Sequence, residues 1–220
     1  MILIFDLDDT LYPERTYVHS GFRAVAEYGE LRFGWNEGES LRFMLDIFKS
    51  KGRGKIFDLW LEAHGRNGRN LVAECVRTYR YHNPKIKLDT DAAKILPMLA
   101  DKYPLYLVTD GHKIVQQKKI DALDIESLFR RVLITHRFGI RHSKPSTYCF
   151  DLVRRKEQCR WNEMVYVGDN PAKDFVNLKP LSVHTVRLLK GEYRSVVAKA
   201  GYEAAVTIDN LSMLPNCLPD

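Results

Sequence analysis

Four groups of residues have the types and spacing to do chemistry. Asp6-Leu7-Asp8-Asp9-Thr10 puts two carboxylates one residue apart just after the apolar run Met1-Ile2-Leu3-Ile4-Phe5. Alternate residues of an extended strand face the same way, and a turn leaving the strand can aim both acids at one bound group. One carboxylate can then attack while its neighbour protonates a leaving alkoxide and later activates water, the division of labour that aspartyl-phosphate chemistry requires. Thr109-Asp110-Gly111 and Gly168-Asp169, followed by Asp174, also end apolar runs, and Lys144 lies in Ser143-Lys144-Pro145-Ser146.

The elements that must position these groups are legible in the same sequence. Short apolar runs at residues 1–5, 105–108, 132–134, 165–167 and 183–188 read as five buried parallel strands. Between them, 90–102, 112–122, 146–156 and 174–179 read as amphipathic helices, with Pro97 implying a kink or late start in the first. Such alternation predicts an α/β fold, a Rossmann-like parallel sheet with right-handed crossovers and a ligand site at the carboxyl ends of its strands. Residues 14–88 break the alternation: 18–31, 39–48, 56–63 and 71–81 read as four helices of an inserted subdomain. The expected division is therefore a catalytic core at 1–13 and 89–220 with a helical insertion at 14–88.

With the elements in place, the acids carry a resemblance. Asp6 to Pro13 resembles the first motif of the haloacid dehalogenase superfamily; Thr109 fits its second, Lys144 its third and Gly168-Asp169-Asn170-Pro171-Ala172-Lys173-Asp174 its fourth, all in family order over residues 4–174. The resemblance implies a Mg²⁺-dependent phosphohydrolase whose Asp6 attacks phosphorus while the Asp8 side chain acts as general acid and then base. It further implies a metal held by Asp6, the Asp8 carbonyl and Asp169 with support from Asp174, and a phosphate bound by Thr109, Asp110, Gly111 and Lys144. Asp9 and Asp110 also have a plainer reading as helix caps or turn acceptors. Two departures are visible: Thr147 stands where a second proline often follows Lys-Pro, and the loop 137–143 is unusually basic. The helical insertion resembles the family's cap over the active site. Such caps favour small phosphorylated metabolites, here a sugar phosphate or a nucleoside monophosphate.

Composition removes other classes. The 220 residues carry 45% hydrophobic and 28% charged side chains, as globular proteins do. No run reaches the roughly 20 apolar residues that a membrane span needs. The four cysteines form no C-x-x-C pair and the seven histidines no zinc cluster, so a cytoplasmic protein without disulfides is expected. Cys149 and Arg155 match the spacing of cysteine phosphatases, but the glycine-free segment between them reads as a helix. The net charge of +6 is concentrated in 14–88, where 14 Lys and Arg face 9 Asp and Glu. Basic turns at 49–55 and 66–69, with Trp60 nearby, keep nucleic-acid binding as the rival class, beside a non-catalytic interaction protein of this fold. Nucleic acid is set aside as the main partner because it leaves the acid constellation unexplained. Within the family, a phosphomutase or other phosphotransferase stays open; a dehalogenase does not, because displacing halide requires no acid at Asp8.

Overall fold

The computed structural model describes residues 1–219. The chain divides into two compact units, residues 1–14 with 87–220 and residues 15–86.

The first unit is built on six parallel strands: β1 (Ile2–Phe5), β2 (Leu105–Thr109), β3 (Arg131–Ile134), β4 (Met164–Gly168), β5 (His184–Leu188) and β6 (Val206–Ile208). They lie in the order β3-β2-β1-β4-β5-β6, so the α/β parallel-sheet class holds. The edge strand β6 was not among the five expected; three residues at a sheet edge, one of them exposed, leave too short an apolar run to register. Every residue of β1, β2 and β4 is buried, which is why these central strands read as continuous apolar runs. Ile2, Ile4, Tyr106, Val108 and Tyr166 share a cluster with Phe150 and Val153, residues of the helix Tyr148–Glu157. Phe5, on the opposite face, packs edge-on against Phe129.

Two expectations about helices change. Residues 174–179 form no α-helix: Asp174 turns its carboxylate back to the Asn170 N–H at 2.9 Å, and Pro180 has no N–H to give to the Val176 carbonyl, leaving turns and one 3₁₀ segment, Lys179–Leu181. Pro97 delays nothing, since the helix α5 runs from Thr90 to Ala100. Pro97 and Ala93, whose carbonyl loses its donor, are both exposed, so water can take that partner's place.

The second unit contains four helices, α1 (Glu14–Phe33, entering from the first unit), α2 (Glu37–Lys51), α3 (Ile56–Ala63) and α4 (Arg69–Tyr81). Its own core gathers Phe22, Val25, Met44, Trp60, Leu61 and Cys75. Trp60 is completely buried there, so it offers no ring to a nucleic-acid base, and Arg53 and Arg66 lie over the rings of Phe48 and Phe33.

The loop after β1 depends on one glycine. Asp9 has a left-handed φ of 52°, and its carboxylate accepts the N–H groups of Glu14 at 2.8 Å and Glu192 at 3.3 Å, tying the start of α1 to the loop after β5. Gly191, with φ 61°, lies so close that a Cβ would overlap the Asp9 carboxyl group. Gly191→Ala is therefore expected to destabilise the protein by about 1–3 kcal/mol in urea unfolding, from left-handed strain plus overlap. A midpoint unchanged from wild type would contradict this packing.

Candidate active site

Strand register brings the acids together. Phe5 of β1 pairs with Val167 of β4, and the Asp6 N–H donates to the Val167 carbonyl at 2.9 Å, so Asp6 and Asp169 leave neighbouring strands at the same level. This is the point where strand order reverses around β1, the crevice in which parallel sheets place ligands. Gly168 is needed for closeness: a Cβ there would meet Asp174 Oδ2 at 2.6 Å. Oxygens of Asp6, Asp169 and Asp174 lie within 4.8 Å of one another, and all three residues are buried.

Lys144 reaches into this cluster. Its Nζ lies 2.9 Å from Asp6 Oδ1 and 2.8 Å from Asp174 Oδ1, with 1% of its side chain exposed. It also donates to the Tyr166 hydroxyl at 2.9 Å, which donates onward to Asp174 at 3.2 Å. Burial alone would discharge the ammonium, but the Asp174 and Asp6 carboxylates hold its pKa well above the usual lysine value. One cation does not balance three acids. Burial, with Lys144 in opposition, pushes Asp6 up to about 6, and burial with Asp6 and Asp174 beside it pushes Asp169 up to about 9. A buried, all-oxygen donor set that cannot fully ionise by itself fits a hard divalent cation and lacks the sulfur or nitrogen that zinc favours.

Asp8 faces elsewhere. Its carboxylate receives Lys119 Nζ at 2.7 and 2.9 Å, Gln116 Nε2 at 3.0 Å and the Tyr12 hydroxyl at 2.5 Å. Burial favours its neutral form, but the Lys119 charge and these hydrogen bonds prevail and lower its pKa. Gln116 also donates to Thr109 Oγ1 at 2.6 Å, joining the end of β2 to the same group. Gly111, at φ 139°, lies where a Cβ would press within 3.1 Å of the Gln116 side chain. Asp110 is a tie between loops: it accepts Thr135 Oγ1 at 2.7 Å and the Lys144 N–H at 3.1 Å, with Lys173 Nζ at 3.4 Å. Thr10 is fully buried, with its hydroxyl unpartnered.

Lys119, Gln116, Tyr12, Tyr166 and Lys173 also converge on the site, and the motifs give none of them a role. Their clearest sequence signal lies on the helix α6 (Lys113–Leu123), whose buried face reads Gln116, Lys119, Ile120, Leu123. A glutamine and a lysine at i and i+3 on an apolar stripe need polar partners inside the protein. The cysteine alternative dissolves: Cys149 is buried with its thiol pushed up to about 11 by burial, and Arg155 is paired at the surface with Asp151.

Residues 3–187 match the family model described as haloacid dehalogenase-like hydrolase. The chain belongs to this family. It is similar to proteins named glyceraldehyde 3-phosphate phosphatase from Methanocaldococcus jannaschii, at 31% identity over 88% of this chain and 87% of that one, and from Methanopyrus kandleri, at 30% over 88% and 86%. It is accordingly a phosphatase-type hydrolase. Among solved structures, the HAD-hydrolase YfnB from Bacillus subtilis shares the fold with a TM-score of 0.71 and 17% identity, over 100% of this chain and 98% of that one. A HAD phosphatase from Thermococcus onnurineus gives 0.61 and 21%, over 98% and 96%. Among the described residues, no helix is long and apolar enough to cross a membrane.

The raised pKa of Asp169 has a thermodynamic consequence. The folded, metal-free protein holds this proton more tightly than the unfolded chain does, so stability falls as pH rises from its ordinary value of 3.8 to about 9. Asn cannot ionise. In the presence of a chelator, Asp169→Asn should melt higher than wild type at pH 8, with a gap that narrows towards pH 5 in calorimetric scans. A gap independent of pH, or a variant that melts lower at pH 8, would contradict the electrostatic reading.

Proposed function

We propose that this hydrolase is a Mg²⁺-dependent phosphomonoesterase that passes the phosphoryl group through Asp6. The observation that carries the proposal is the separation of two carboxylate environments one residue apart: Asp6 beside Lys144 and the acid cluster, Asp8 in its own cage of donors. The first suits a nucleophile and the second a proton carrier.

In the first half-reaction an Asp6 oxygen attacks phosphorus, the bond from phosphorus to the ester oxygen breaks, and the Asp8 carboxyl gives its proton to the departing alkoxide. In the second, Asp8 takes a proton from water, the water oxygen attacks phosphorus, and the Asp6–phosphate bond breaks to release inorganic phosphate. Asp8 is held ionised in the resting site, so its proton must arrive with the substrate, whose negative charge favours protonation nearby. Lys144 and the Thr109 hydroxyl are the groups proposed to stabilise the phosphoryl oxygens. Because Thr109 Oγ1 already accepts from Gln116, its own proton is left to point at an anion. Gly111 gives the loop after β2 its positive-φ turn against Gln116, and Asp110, proposed with it as part of the phosphate-binding loop, secures that loop to Lys144. Asp6, the Asp8 carbonyl and Asp169 would hold Mg²⁺, with Asp174 supporting them. When bound, the ion supplies charge neutralisation for the phosphoryl oxygens.

The substrate proposed is a small sugar phosphate of the triose class, on the strength of the relatives' shared name. The helical unit at 15–86, with its excess of positive charge, is proposed as the family's cap, which reads the part of the substrate that does not react. A cytoplasmic location belongs to this same reading.

Asp6→Asn, which keeps the side chain's shape and leaves Asp174 to pair with Lys144, should still fold and lose at least about a thousandfold in kcat towards glyceraldehyde 3-phosphate. EDTA should abolish wild-type turnover, and Mg²⁺ should restore it. Near-native turnover by the variant, or full activity after chelation, would sink the proposal.

A further inference from the structure

The Asp8 carboxylate is held more completely than a proton carrier needs merely to stay folded. Both its oxygens are engaged, and three different side chains converge on it. Two of these come from α6, one turn apart, and neither helix propensity nor core packing explains a lysine with 2% of its side chain exposed on that helix. An amine so placed must find carboxylates. Lys119 finds Asp8 at hydrogen-bond distance on both oxygens and Glu14 at 3.8 Å. Donors from three side chains, spread over both oxygens, fix the carboxylate's rotation as well as its location, which a single hydrogen bond does not. Gln116 then sets the height of Asp8 relative to Thr109, because one amide nitrogen serves both.

We infer that Lys119 is a positioning residue for leaving-group protonation: it aims the Asp8 carboxyl at the ester oxygen, and Gln116 and Tyr12 complete the clamp. The inference rests on the reading of Asp8 as the group that protonates the departing alkoxide. A structural brace for α6 would slow all substrates alike when removed. A clamp that aims an acid slows them in proportion to their need for that acid: greatly for an alkyl phosphate, whose alkoxide leaves poorly without a proton, and little for para-nitrophenyl phosphate, whose phenolate leaves unaided.

The test is steady-state kinetics with glycerol 3-phosphate and para-nitrophenyl phosphate in saturating Mg²⁺, on wild type, Lys119→Met, Lys119→Arg, Tyr12→Phe and Asp8→Asn. Lys119→Met keeps length and removes the donors. It is expected to lose about a hundredfold or more in kcat for glycerol 3-phosphate and less than about tenfold for para-nitrophenyl phosphate. Lys119→Arg should recover part of the loss on the alkyl ester. Tyr12→Phe, which removes one donor and leaves the lysine, should show the same selectivity on a smaller scale, and decides the matter if Lys119→Met does not fold. Equal losses on both substrates in Lys119→Met and Tyr12→Phe would overturn the inference in favour of a structural brace. If Asp8→Asn is selective for the alkyl ester and neither clamp variant is, the positioning role fails while the Asp8 reading survives. If Asp8→Asn slows both substrates equally, that underlying reading fails first.

Discussion

A lysine ammonium almost completely removed from water holds this site together. Lys144 can stay charged at that depth only because the Asp6 and Asp174 carboxylates and the Tyr166 hydroxyl surround it, and those acids can crowd there only because the ammonium stands among them. Desolvating such ions costs several kcal/mol each, so the arrangement is stable only as a complete network. Each backbone feature nearby serves it. Gly168 has no Cβ to keep Asp174 away, Asp174 turns back to the Asn170 N–H instead of continuing a helix, and Asp110 fixes the Lys144 main chain from the end of β2. With three carboxylates to one ammonium the network is two positive charges short of neutrality, as the raised pKa values of Asp6 and Asp169 register. Incomplete neutrality suits the proposed binding of a metal ion and then a phosphate.

The second constraint is that two acids separated by one residue must behave differently. Sequence proximity would make Asp6 and Asp8 alike; environment separates them. Asp6 shares Lys144 with other carboxylates and is pushed up, whereas Asp8 has Lys119 close on both oxygens, with two neutral donors, and is pushed down. Environments that drive neighbouring carboxylates apart are a general route to distinct chemical roles at one pH.

Much of this is legible in the sequence. Buried strands carry uninterrupted apolar residues, so β1, β2 and β4 stood out with the acids that end them, and parallel topology dictated that those ends converge. The short edge strand β6 was not legible, because half-exposed three-residue strands have no periodicity of their own. Asp174 looked helical because Phe175 and Leu178 follow at helical spacing, yet Pro180 and the pull of the Asn170 N–H decide otherwise. The Asp8 clamp escaped for a different reason. Lys119 and Gln116 are remote from the motif in sequence, and a lysine on a charged helix reads as solvated until its burial is known. Basic turns near Trp60 suggested a nucleic-acid surface only while that ring could be imagined outside the core.

The proposed reaction depends on phosphorus bonding to one particular oxygen, that of Asp6. A single turnover of phosphorylated substrate, quenched in acid within milliseconds and reduced with borohydride, converts an aspartyl phosphate to homoserine at the position that carried it. Peptide mass mapping should find that conversion at Asp6 and at no other carboxylate. Homoserine at Asp8, Asp169 or Asp174 instead, or none under conditions where turnover is demonstrably fast and breakdown of the intermediate limits the rate, would contradict the account.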